Sequence, residues 1–217
     1  MTDWYKIKRI LVRQNNQEKQ IYPASRLPSA YQEVEYIQSS WTQYINSWFN
    51  PTWNSELEID FEYTSIVSNP VSTTWCFWID SWWSVSAFSV FADRMFCYGS
   101  QYQAVYNYYY TAGTRYVFQF KNLKWYLNGT KKFTYTKETF TSSYPALIFA
   151  KWRNNGIETY SNTKIYGVKL WDNWVLQREF VPCYRKSDSV IWMYDLANNQ
   201  FYTNSWSWTF TKWPNVS

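Results

Sequence analysis

The sequence predicts an all-β protein, a sandwich or barrel of short strands, and three observations carry that expectation. Aromatic residues make up 24% of the 217-residue chain, and β-branched residues are frequent; both suit a pleated, half-buried surface. From Tyr31 onward, short runs with period-two alternation recur between clusters of turn residues, the spacing of an all-β domain. No segment carries the 3.6-residue apolar period that a helix needs to bury one face. A chain of this length also has ample residues for a core.

In chain order, residues 1–24 (MTDWYKIKRILVRQNNQEKQIYPA) read as two short strands around a turn at Asn15-Asn16, followed by the proline-bearing linker PASRLPSA. The expected division is a hairpin leader over 1–26 and a main domain over 27–217; the alternative makes that hairpin the first two strands of the domain. Strands are then expected in YQEVEYI, TQYIN, ELEIDFEYTSIV, FSVFAD, YQAVYNYYY, RYVFQFKNLKWYLNG, KKFTYT, ALIFAK, KIYGVKLWD, VLQREFVPCYR and QFYTN. Most of these alternate apolar and polar residues, which buries one face. Asn128-Gly129 between alternating segments predicts a two-residue hairpin, because both residues accept positive φ. That turn also accounts fully for the glycosylation-like triplet Asn128-Gly129-Thr130.

Glycine usage conflicts with so many turns. The chain has 5 Gly and 16 Trp, whereas average usage implies roughly 15 glycines at this length. Twelve tryptophans (Trp41, Trp48, Trp53, Trp75, Trp78, Trp82, Trp83, Trp174, Trp192, Trp206, Trp208 and Trp213) read as glycine positions; most stand among Ser, Asn, Asp and Pro, the residues that build turns. Replacing Trp174 by Gly turns Asn173-Trp174 into Asn-Gly, the strongest short hairpin signal. The expectation is a gene in which UGA specifies glycine, translated with a table that reads UGA as tryptophan. The alternative is a tryptophan-rich binding surface.

Composition also removes several function classes. The chain has no histidine, which excludes Ser-His-Asp and Cys-His nucleophilic sites and the common histidine-bearing metal sites. Any catalysis would run on carboxylates. The net charge of +5 is mild, and basic residues are spread along the chain apart from Lys6, Lys8, Arg9 and Arg13, so no nucleic-acid partner is expected. No apolar run approaches the roughly 20 residues of a membrane span, and MTDWYKIKRI has no signal-peptide h-region. Three cysteines, Cys76, Cys97 and Cys183, show no ligand spacing; they are expected as buried thiols, with a Cys76–Cys97 bridge as the alternative outside a cell.

The opening LPSAYQEVEYIQSSWTQYINSWFNP (27–51) and the closing KIYGVKLWDNWVLQREFVPCYRKSDSVIWMYDLANNQFYTNSWSWTFTKWP (164–214) resemble the concanavalin A-like, laminin-G-like jelly-roll domains of bacteriophage tail and virion proteins and bacterial surface proteins. The likeness spans about 190 residues by eye, specific at the ends and loose in the middle. Most departures fall where the family has Gly and this chain has Trp. The resemblance implies a jelly-roll sandwich located on a virion tail or an extracellular surface. It further implies a carbohydrate or host-surface glycan as ligand, other virion proteins as partners, and a homo-oligomer as a further option, although no heptads specify one.

Three constellations are candidates for chemistry. Alternation puts Glu56, Glu58, Asp60 and Glu62 on one face of a strand. Glu58-Ile59-Asp60-Phe61-Glu62 resembles the E-x-D-x-E strand of retaining β-glucanases that share the jelly-roll fold, with Glu58 as nucleophile, Glu62 as acid/base and Asp60 tuning the protons. The competing reading is a polar strand face that discourages edge pairing. Tyr102, Tyr106 and Tyr109 are candidate ligand contacts, since tyrosine offers a flat apolar face and a hydroxyl; core packing competes for such residues. No cofactor is expected; laminin-G-like domains imply calcium as an alternative, with Asp80 and Asp93 as possible ligands or simply turn residues. The expected function is a non-catalytic module that binds carbohydrate or mediates host attachment, with the glucanase and a purely structural virion protein as alternatives.

Overall fold

A computed structural model describes residues 10–14, 17–21, 26–40, 42–65, 75–78, 87–91, 95–104, 110–153, 156–158, 160–204, 209–212 and 214–216. The first strands are β1 (Ile10–Gln14), β2 (Gln17–Ile21), β3 (Tyr31–Glu33), β4 (Ile37–Gln38), β5 (Ile45–Asn46), β6 (Ser55–Tyr63) and β7 (Trp75–Trp78). Next come β8 (Ala87–Phe91), β9 (Met95–Gly99), β10 (Gln101–Ala104), β11 (Arg115–Lys121), β12 (Lys124–Leu127), β13 (Thr130–Thr134) and β14 (Leu147–Ile148). The last are β15 (Lys151–Arg153), β16 (Gly156–Glu158), β17 (Thr163–Asp172), β18 (Val175–Arg185), β19 (Ile191–Asp195), β20 (Gln200–Tyr202) and β21 (Thr211–Lys212). No helix occurs among the described residues.

Two sheets form the body. One has six strands in the order β10-β9-β8-β7-β14-β5; the other has eleven, following β13-β12-β11-β6-β17-β18-β19-β20, with β3 paired to β18, β4 to β17 and β21 to β4. Strand β1 pairs with β2 in a separate two-stranded sheet, the two strands that the sequence predicts there, while the expected turn residues Asn15 and Asn16 lie outside the described residues. The longest strands sit centrally. On β6 the burial alternates without interruption, with Leu57, Ile59, Phe61 and Tyr63 inward and Glu56, Glu58, Asp60 and Glu62 outward.

The inward faces of the two sheets share one core. Phe96 of the six-stranded sheet lies 4.9 Å from Phe118 and 4.8 Å from Phe120 of the other, centroid to centroid, and Tyr98 lies 5.1 Å from Phe120. These tilted contacts are the preferred geometry of aromatic quadrupoles. They make the body a β-sandwich, with aromatics filling the inter-sheet space. The Tyr98 hydroxyl donates to the Trp53 carbonyl at 2.8 Å, so its polar end is satisfied inside the core.

Turn chemistry follows the sequence closely. Asn128 (φ 49°) and Gly129 (φ 77°) make the expected hairpin between β12 and β13. Asn173 (φ 48°) and Trp174 (φ 63°) close the β17–β18 hairpin in the same way, with Asp172 opposite Val175.

Strand β19 is one that alternation does not announce, because Ile191-Trp192-Met193-Tyr194 is continuously apolar. Its neighbour β18 shows the reason: Phe180, Val181, Pro182 and Cys183 are all buried, on both faces of the strand. Leu27 and Tyr31 fold over the outward side against Val181, Cys183, Tyr194 and Phe201. Cys183 is thus the buried free thiol that the sequence predicts. Cys76 on β7 and Cys97 on β9 have β8 between them. The side chains of Cys76 and Cys97, expected as buried thiols or as a bridged pair, lie outside the described residues.

Candidate functional site

The carboxylates of β6 lie outward in the middle of the eleven-stranded sheet, and partners come from the strands on either side. From β11, the Arg115 guanidinium donates to both oxygens of Asp60 at 2.7 Å each, and Gln119 Nε2 donates to Glu58 Oε2 at 2.6 Å. From β17, Lys164 Nζ lies 2.6 Å from Glu62 Oε1, the Tyr166 hydroxyl donates to Glu62 Oε2 at 2.9 Å, and Lys169 Nζ lies 3.9 Å from Glu58 Oε1. Glu56 accepts from the Asn122 backbone N–H at 2.9 Å.

Tyr166 owes its position to a β-bulge. Pairing of β17 with β6 slips between Ile165 and Gly167, and the extra residue lets Tyr166 reach across to Glu62, a usual effect of a bulge on side-chain direction. Its ring supports the Arg115 guanidinium 3.8 Å from the centroid and packs 5.2 Å from Tyr36. Arg115, Tyr166, Lys164, Glu62 and Asp60 thus form one cross-strand network.

The electrostatics follow from this geometry. Burial drives the Tyr166 phenol well above its ordinary range, and the Glu62 hydrogen bond and charge add to it. Burial alone would lower Lys164, but the bond and charge of Glu62 outweigh it and raise the ammonium. Arg115 behaves likewise toward Asp60. Lys169 is lowered, because burial outweighs the attraction of Glu179. Both oxygens of Glu62 and of Asp60 are engaged as acceptors, and Glu58 is held by Gln119. Such pairing positions side chains across the sheet.

Of the tyrosine candidates, Tyr102 lies on β10, opposite Cys97, on the last strand of the six-stranded sheet. Tyr106 and Tyr109 lie outside the described residues, as do Asp80 and Asp93. Among the described residues no group of three or more His, Cys, Asp or Glu could hold a metal ion. Sequence reasoning missed Tyr36, Arg115, Lys164 and Tyr166. Alternation could place Arg115, Lys164 and Tyr166 on outward faces, but only strand order makes them neighbours of β6, and Tyr36 is buried in the link before β4, against Tyr166.

Six of the twelve anomalous tryptophans fall among the described residues. Trp48 and Trp174 project into solvent, 70% and 76% exposed. Trp53 packs against the core, with the Lys137 ammonium 4.0 Å from its ring centroid. Trp192 stands on β19 with its ring 5.2 Å from Phe201 and a buried indole N–H that has no acceptor. Trp75 and Trp78 belong to β7. Trp41, Trp82, Trp83, Trp206, Trp208 and Trp213 lie outside the described residues.

Comparison of the chain with known protein families, curated proteins and solved structures gives no match. The class that the architecture defines is an all-β protein of antiparallel sheets packed as a sandwich on an aromatic core. No helix among the described residues is long and apolar enough to cross a membrane.

Proposed function

We propose that the chain is a non-catalytic binding module with a concanavalin A-like jelly-roll fold, carried on a phage tail or virion or on a cell surface, and that its ligand is a carbohydrate of the host surface. The observation that carries the non-catalytic part is the engagement of Glu58, Asp60 and Glu62 in cross-strand pairs with Gln119, Arg115, Lys164 and Tyr166. A retaining glycosidase needs two carboxyls about 5–5.5 Å apart, one of them free to give up and regain a proton. Here each carboxylate serves to tie β6 to its neighbours. The ligand class and the virion setting rest on the likeness of residues 27–51 and 164–214 to tail and surface jelly rolls. Tyr102 on the terminal strand β10 has the stacking chemistry of a sugar contact.

A glycan array probed with the full chain tests this reading, alongside a hydrolysis assay on β-glucans. The expected outcome is glycan binding without hydrolysis, weakened roughly 2- to 10-fold by Tyr102→Ala as befits one aromatic contact. Hydrolysis abolished by Glu58→Gln would replace the proposal with the glucanase. No binding, together with a stable oligomer, would replace it with a purely structural virion role.

A further inference from the structure

We propose that residues 48 and 174 are glycine in the protein as its own host makes it, the host reading UGA as glycine at both positions. This inference concerns the covalent identity of the chain and stands apart from the ligand proposed above.

The backbone carries the argument. Among the described residues, four bulky side chains occupy positive φ: Trp48 (51°), Leu123 (59°), Phe149 (73°) and Trp174 (63°). A Cβ in this region crowds the following carbonyl oxygen, so only glycine visits it freely, with Asn and Asp next. Two of the four have a compensating gain: Phe149 is fully buried and Leu123 packs against the main core. Trp48 and Trp174 have none, since both indoles stand in solvent. They combine the strain of a large side chain at positive φ with the exposure of a large apolar surface.

Local hydrogen bonding points the same way. Asn173 and Trp174 form a two-residue turn with φ 48° and 63°, the pair of values that selects Asn-Gly in hairpins. Asn54 Nδ2 donates to Asn173 Oδ1 at 2.6 Å, which anchors the turn to the loop before β6. At the other position the Trp48 N–H donates to Asn46 Oδ1 at 2.9 Å, and its carbonyl accepts from Arg178 at 3.2 Å. The backbone at 48 is thus held in the left-handed region by its own bonds, while the residue stands 70% exposed. Glycine would make every one of these backbone bonds. The counts of 5 Gly and 16 Trp are what a shared codon would produce.

The test has two arms. First, the codons at 48 and 174 are read, and the corresponding peptides of the protein recovered from its own host are weighed. UGA at both, with glycine masses, is expected; UGG at either position, or a tryptophan mass, overturns the proposal. Second, Trp48→Gly and Trp174→Gly are made in a host that inserts tryptophan at UGG, and unfolding is measured in urea. Each substitution is expected to raise the folding equilibrium constant roughly 5- to 30-fold, the factor set by relief of the left-handed strain. Trp125→Gly is the control: its indole is buried and stacked 5.8 Å from Phe118, so the constant falls. Unchanged or lower stability for the two turn variants would show that the backbone does not select glycine there and would overturn the proposal.

Discussion

Cys183 shows how a single side chain can bring pH into the stability of this sandwich. The side chain is buried between β18 and the covering segment, and burial pushes its thiol from an ordinary 9.0 up to about 12. The thiol stays neutral in the native state, whereas an unfolded chain ionises it near 9. The native state therefore binds the extra proton across that interval, so stability is intact below pH 9 and declines as pH rises toward 12. The urea midpoint of the wild type is expected to fall across this range more steeply than that of Cys183→Val. Equal slopes would show that the thiol ionises as readily in the folded protein as in the unfolded one. Residue-level reading of the sequence succeeded where the cause is local. The outward placement of Glu58, Asp60 and Glu62 needs only period two, but their partners Arg115 and Lys164 lie 55 and 102 residues away along the chain.

At the scale of an element, the β9–β10 hairpin shows why few glycines suffice in some turns and not in others. Gly99 (φ +57°) and Ser100 connect the strands, and Glu138 accepts from the Ser100 N–H at 2.6 Å and the Ser100 hydroxyl at 2.5 Å. A Cβ at Gly99 would fall 2.1 Å from Glu138 Oε2, so glycine is needed for both φ and space. Gly129, at φ +77°, has nothing within 4 Å of its would-be Cβ. Gly129→Ala is expected to cost about 1–2 kcal/mol from the left-handed backbone alone. Gly99→Ala is expected to cost more in the same urea titration, because the carboxylate must also leave Ser100. Equal costs would mean that Glu138 moves away freely. The Gly129 turn was expected from the sequence and the Gly99 turn was not, and nothing near Glu138 in sequence announces its role, since it meets Ser100 only through tertiary folding.

For the whole molecule, stability rests on the meeting of the two sheets, and Phe96 sits at that meeting. Its ring touches Phe118, Phe120 and Tyr135, and its carbonyl accepts from the Tyr135 hydroxyl at 2.8 Å. Phe96→Ala is expected to cost about 3–5 kcal/mol, read as a shift of the single unfolding transition. A loss below about 1 kcal/mol would show that the sheets are held together elsewhere. Alternating apolar residues and turn chemistry by themselves determined that the chain is all-β, which face of β6 turns inward, and where the Asn128-Gly129 hairpin closes, because strand period and φ preference are properties of neighbours in sequence. Strand order was decided only by the tertiary structure. It buried both faces of β18 and paired the β6 carboxylates with cations from β11 and β17. Such contacts join segments distant in sequence, whose pairing depends on how the sheets pack and not on any local preference.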